Sequence, residues 1–375
     1  MMRHKTIIQV ILLSLSMSIL TGCKEKAINP EDDIPLFKDF IEKNINKIAD
    51  DPYISSTVRP ENEMYDVLLD LQRGTPWSKE EEDRFNRLIE KGNAHATILY
   101  SRLTLNDISE KSVAVSRLAK LMSEGNPYAA YWLSNRSYRC RAHLGSRSLG
   151  NKVANDLGLD TSYDNKYCTE EIYQKAVEGF KKLAAEGDLR AQYFLLKEKG
   201  LDKSVGKREE YIKEVIRFSE AHYYKPLIDY IDSLQKQTND GVVFRSEKLE
   251  KLAFYLLKVA SNNNYIPAMG AVMYYERNSD DNNKLYKRMK MLGGKCYFWA
   301  MFEDKSEEMG EKEKYCHALL FEKIYQKNIL FSFNSDWPGR NDYDERICNI
   351  EKEIAEMKPM IYIDYFTRID NWGRG

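Results

Sequence analysis

The chain is poor in long apolar runs. Past its first two dozen residues no hydrophobic stretch approaches the roughly twenty residues a bilayer-spanning helix needs, which excludes a polytopic membrane protein. Charge of one sign is also missing: 57 Lys and Arg stand against 58 Asp and Glu, with no basic stripe, so nothing steers the chain towards nucleic acid or another polyanion. Histidine is scarce. His95, His143, His222 and His317 lie far apart without a second His or a Glu at ligand spacing, which leaves a helical zinc site without support. No Gly-x-Ser-x-Gly elbow is present. The nearest approach to a phosphate loop, Gly145-Ser-Arg-Ser-Leu-Gly150-Asn151-Lys152-Val153, has its Lys one place late and Val where a magnesium-holding Ser or Thr belongs. Cys316 and His317 are adjacent on a helical run and point apart, unlike a nucleophile and its base. These absences predict no catalytic residue, no metal and no cofactor, and the chain is read as a non-enzyme. What remains, 43% hydrophobic and 31% charged residues, is ordinary globular composition.

The amino terminus carries more. Arg3, His4 and Lys5 precede an apolar stretch from Ile7 to Ile19, and Leu20-Thr21-Gly22-Cys23 follows. A basic start, a short greasy middle and small residues at the cut have the layout of a secretory signal, too short for a permanent span. Leu-Thr-Gly-Cys resembles the lipobox of bacterial lipoproteins. That resemblance implies removal of residues 1–22 and attachment of lipid to Cys23, whose buried methylenes, at about 0.8 kcal/mol each, hold the chain to a membrane. Loss of Arg3 and Lys5 leaves 55 basic side chains against 58 acidic. Lys24, where Asp would favour the inner membrane, implies the outer membrane, facing the periplasm. Residues 23–35 hold two prolines and six charges and predict an extended, lipidated tether.

Helical spacing begins with Leu36, Phe37, Phe40, Ile41, Ile45 and Ile48, a second helix follows Pro60 and stops near Gly74, and Ser78 with Glu81 forms a capping box for a third. Residues 36–79 are read as an amino-terminal helical cap. The informative pattern is self-similarity. Glu90-Lys-Gly92-Asn-Ala-His-Ala96 recurs as Ser123-Glu-Gly125-Asn-Pro-Tyr-Ala129 and as Ala185-Glu-Gly187-Asp-Leu-Arg-Ala191, each between apolar helical runs. Weaker copies are Tyr223-Tyr-Lys-Pro226-Leu227 and Asn264-Tyr-Ile-Pro267-Ala268, and Gly294 marks a sixth. Positions 92, 125, 187, 223 and 264 lie 33, 62, 36 and 41 residues apart, the longest gap being one period plus an insertion. The glycine supplies a left-handed turn and the small residue one turn on lets two helices approach. A hairpin of this size cannot bury its apolar face alone, so neighbours are expected to stack.

The stretch Ala176-Val-Glu-Gly-Phe180-Lys-Lys-Leu183-Ala184-Ala185-Glu-Gly187-Asp-Leu-Arg-Ala191-Gln192-Tyr193-Phe-Leu195 resembles the Sel-1-like repeat, a relative of the tetratricopeptide repeat. The resemblance covers about residues 80 to 275, closely in one repeat and loosely in four, and the family's Leu-Gly near the end of the second helix is missing. It implies an all-α fold, an α-solenoid over residues 80–300 with an insertion at 141–167, followed by a helical cap and irregular tail at 301–375. Cys140 and Cys168 flank that insertion and are taken as a disulfide pair, while the pairing of Cys296, Cys316 and Cys348 stays open.

The chain holds 25 Tyr, 14 Phe and 5 Trp. Most, such as Tyr100, Trp132 and Tyr193, are expected to fill space between helices. The carboxyl end differs, with the Pro-Gly loop Ser335–Tyr343, including Trp337 and Tyr343, and the run Ile361–Trp372, whose apolar residues alternate too poorly for a clear helix. Both are expected to cap the last repeat. Trp337, Tyr343 and Trp372 are the candidate partner-binding residues.

A solenoid without catalytic groups binds protein or peptide. By resemblance to immunity lipoproteins with Sel-1-like repeats, the first-ranked function is neutralisation of an interbacterial toxin such as a type VI secretion lipase effector. An envelope adaptor or scaffold ranks second, and an enzyme of the β-lactam-binding kind linked to some cysteine-rich relatives ranks last. The expected partner is a protein, with membrane contact through lipid only, no nucleic acid, and the oligomeric state open.

Overall fold

Helix entry follows local chemistry along the chain. In the computed structural model, which describes residues 27–75, 78–144, 153, 156–158, 166–239, 241–276, 282–298, 309–326, 347–364 and 366, α-helices begin at side-chain caps on Ser78, Asn93, Asn126, Ser137, Thr169, Asp188 and Ser246, and several end at left-handed residues. The first helices are α1 (Ile34–Asn44), α2 (Tyr65–Arg73), α3 (Lys79–Glu90), α4 (Ala94–Thr104), α5 (Lys111–Ser123) and α6 (Pro127–Trp132). They are followed by α7 (Tyr138–His143), α8 (Glu170–Ala185), α9 (Leu189–Glu198), α10 (Arg208–Glu220) and α11 (Lys225–Ser233). Then come α12 (Glu247–Asn262), α13 (Ile266–Tyr275), α14 (Asn282–Met291), α15 (Glu311–Tyr325) and α16 (Ile350–Glu356). The fold is predominantly α-helical. Between α11 and α12 lies an antiparallel ribbon, β1 (Gln235–Thr238) with β2 (Gly241–Phe244), in which Gln235 opposes Phe244. A helix-only reading misses this ribbon, which rests on adjacent β-branched Val242 and Val243 behind a glycine at φ +125°.

Six helix pairs share one elbow. Gly92, Gly125 and Gly187 sit at φ between +82° and +97°, where a side chain is costly. The next residue caps the second helix: Asn93 accepts from Ala96 N at 2.8 Å, Asn126 from Ala129 N at 3.1 Å and Asp188 from Ala191 N at 2.9 Å. His222, Asn264 and Gly293 hold the same left-handed conformation before α11, α13 and the helical residues 295–298. The fourth elbow therefore turns at His222, one residue before Tyr223, and its place four residues on belongs to buried Pro226. Ala96, Ala129, Ala191 and Ala268 are all fully buried, with Pro267 in the first turn of α13. At these positions a larger side chain would push the two helices apart.

Residues 30–35 correct the expected tether. Asn29 accepts from Glu31 N, Pro30–Asp33 form a 3-10 turn and Pro35 lies in the first turn of α1, where proline costs no hydrogen bond. Asp33 is buried against Arg208, which donates through Nε at 3.0 Å and Nη2 at 2.6 Å, while Tyr230 Oη donates at 3.1 Å. A paired buried carboxylate outweighs the polar composition that reads as extended chain. Helix α1 packs on α10 and α12 rather than on the first hairpin, and Asn262 Nδ2 donates to Ile45 O at 2.7 Å. Helix α2 lies beside α3, joined by the Arg84–Asp70 ion pair at 2.6 Å.

The segment after α16 is extended. Lys358 N and Met360 N donate to Met291 O and Leu292 O at 2.7 and 3.1 Å. Gln72 then grips the chain twice, donating to Met360 O at 2.8 Å and accepting from Tyr362 N at 2.7 Å. Thr57 N donates to Ile361 O at 2.7 Å and Thr57 Oγ1 to Ile363 O at 2.7 Å. Met360, Ile361 and Ile363 are at most 1% exposed. The segment therefore meets the last helix pair at Met291 and Leu292 and also contacts the 56–72 region. It leaves α14, passes the 56–72 region with its apolar side chains buried, and reaches the second and third hairpins at Phe366.

Candidate functional site

The extended segment ends in an aromatic slot. Tyr128 and Tyr131 stand on α6, Phe180 on α8 and Phe194 on α9, and the Phe366 ring lies 5.3, 5.6, 5.6 and 5.9 Å from theirs, stacked on Phe194. Short α6 reaches this position because Asn126 and Pro127 start it one residue after the Gly125 elbow. Gly179 on α8 then permits close approach, since a Cβ there would lie 2.7 Å from Pro127 Cβ.

Beside Phe366 opens a cavity of about 420 Å³ walled by α9, α11 and the start of α8. Tyr193 Oη donates to Asp229 at 2.7 Å, and Asp229 also pairs with Lys225. Burial first, then the Asp229 charge, push the Tyr193 phenol far above its usual 10, so it stays a donor. Tyr223 is raised the same way by burial and by Asp364, to which its hydroxyl donates at 3.5 Å. Arg136 pairs loosely with Glu170 at 3.8 Å, with its side chain 59% exposed, and lies 5.1 Å over the Tyr173 ring. The wall offers rings, phenols and cations that already have carboxylate partners.

The residues singled out from sequence fall elsewhere. Gly92, Ala96, Gly125, Ala129, Gly187, Ala191, Pro267 and Ala268 are elbow and packing residues. Cys140 and Cys168 are joined as a disulfide with Cα atoms 5.6 Å apart, and Cys316 with Cys348 at 5.3 Å, which leaves Cys296 as a thiol. Cys23, Trp337, Tyr343 and Trp372 lie outside the described residues. His317 sits against the rings of Tyr297 and Phe298 at 5.0 and 5.1 Å, and burial pulls it down to about 3. Among the described residues no three His, Cys, Asp or Glu side chains are grouped to hold a metal. Ser-x-x-Lys spacings occur at Ser204–Lys207 and Ser233–Lys236, but both lysines are exposed and Ser233 Oγ donates to Tyr230 O at 2.6 Å.

Phe366, Asp364 and the slot around them escape motif reading. The available signal is the unbroken apolar run Met360–Ile363 between Pro359 and Asp364, which fits a short buried strand. Comparison with known protein families, with curated proteins and with solved structures finds no match to this chain.

Proposed function

We propose that this protein is a membrane-tethered, periplasm-facing lipoprotein whose Sel-1-like helix pairs stack as a solenoid and bind another protein. Within that reading, its first assignment is an immunity protein neutralising an interbacterial toxin such as a type VI lipase effector. The observation that supports protein binding best is the aromatic slot, which already receives an extended peptide, that of its own carboxyl end, beside an open cavity. Helical arrays of this kind bind along a continuous face formed by successive hairpins. The immunity assignment rests on analogy to repeat-bearing lipoproteins.

Three measurements test it. Capture from envelope extract of sibling cells, using the chain from residue 24, is expected to retain a secreted effector. Deletion of the gene is expected to sensitise cells to siblings that deliver it. Recovery of resident envelope enzymes with no change in sibling sensitivity would instead favour an adaptor. Mass analysis of the membrane-bound protein is expected to find acyl chains on Cys23, and an unmodified Cys23 would end the tethering part of the reading.

A further inference from the structure

The carboxyl-terminal segment divides into two parts with different contacts. From Pro359 to Ile363 its backbone is gripped by Thr57, Tyr65 and Gln72, and its side chains belong to the core. Past Ile363 it meets the slot. Asp364 accepts from Tyr223 Oη at 3.5 Å and from Phe366 N at 2.9 Å, which turns the chain so that Phe366 enters the four-ring cluster. Arg190 on α9 lies close enough for Asp364 to stabilise its charge. Phe366 remains only partly buried, and it forms one wall of the open cavity.

Resting on the protein-binding reading above, we propose that this slot is the partner-docking site and that Asp364 and Phe366 fill it as a built-in stand-in for the partner. The ligand class follows from the stand-in: an extended peptide segment carrying a carboxylate two residues before a phenylalanine-sized aromatic ring. Tyr223 and the Arg190 side read the carboxylate, while Tyr131, Phe180 and Phe194 take the ring. The neighbouring cavity, with Arg136 and Lys197 at its edge, receives the partner residues that follow. The occupant is argued from the segment seated there, from its partial exposure and from the space that continues past it. A partner gains the site by displacing Asp364 and Phe366, without unfolding the buried residues 359–363 before them.

The probe is a fluorescent peptide with the sequence of residues 359–366, titrated against the intact chain, a chain ending at Ile363, and the full chain carrying Phe366→Ala. Circular dichroism checks that each keeps its helices, and Phe366→Ala preserves the test if the shortened chain does not fold. The expected result is saturable binding to the opened chains, at least tenfold weaker binding to the intact one, and at least tenfold loss when the peptide's Asp and Phe are both replaced by Ala. Equal binding to intact and opened chains, no loss with the substituted peptide, or no binding to a folded opened chain would overturn the proposal. A dimer of the intact chain by light scattering that is lost on shortening would give the slot to a second copy and overturn it too. If the peptide fails while envelope capture still retains an effector, the docking proposal falls and the protein-binding reading stands.

Discussion

At the scale of single residues, the polar groups taken out of water decide how the protein responds to mutation and pH. Asp33 is buried with four hydrogen bonds from Arg208 and Tyr230. Removing the carboxylate strands a guanidinium that is largely shielded from water. Breaking one partner of such a pair costs about 3–5 kcal/mol, so Asp33→Ala is expected to lower the unfolding free energy measured by urea titration by that much. His317 acts in the opposite sense. Its folded pKa, lowered to about 3 by burial, lies below the unfolded value of 6.5, so the unfolded chain binds the proton first as pH falls. The stability it contributes is complete above pH 6.5 and is lost progressively towards pH 3. Between pH 7 and pH 5 the loss from this one group is about 2 kcal/mol, and His317→Phe is expected to remove that part of the pH slope in parallel urea titrations. Neither role is legible in the sequence: Asp33 reads as one of several tether charges, and His317 as the neighbour of a cysteine.

Between residues and the whole molecule stand the elbows, and these are where sequence reading reaches furthest. A glycine, an Asn or Asp, and an alanine four places after the glycine specify a left-handed turn, a helix cap and a close helix contact, all local in sequence. Where the glycine is replaced, the same conformation falls to His222 and Asn264, and the register is visible only in the backbone angles. Packing between hairpins is not local. Gly179 shows it: its missing side chain is filled by Pro127 from the preceding pair. Gly179→Ala is expected to destabilise the protein by about 1–3 kcal/mol through overpacking, whereas Gly206→Ala, with open space around it, changes little in thermal melts. The Cys140–Cys168 bridge closes a separation of 28 residues, for which chain entropy predicts about 3–4 kcal/mol. The Cys140→Ser, Cys168→Ser double variant is expected to lose that amount, measured by urea unfolding under non-reducing conditions.

Across the described residues, the first helix and the segment 358–366 both fold back onto the hairpins. Helix α1 sits on α10 and α12, and residues 358–366 join α14 to α2 and reach α6, α8 and α9. Deleting everything after Glu356 removes Met360, Ile361 and Ile363 from the core. At about 1.5–3 kcal/mol per buried side chain the loss is roughly 5–9 kcal/mol, comparable with the whole stability of a domain. That truncation is expected to abolish the cooperative melt seen by circular dichroism, while a chain ending at Ile363 keeps it. The linear chain by itself determined the helical class, the turn chemistry of Gly92, Gly125 and Gly187 and the caps that follow them, because those interactions join residues within a few positions of one another. Tertiary structure alone decided that Asp33 is clamped, that His317 is dry and that Phe366 lies in an aromatic slot. Each of these depends on surfaces brought together from segments far apart in the chain, and burial arises only when those surfaces meet.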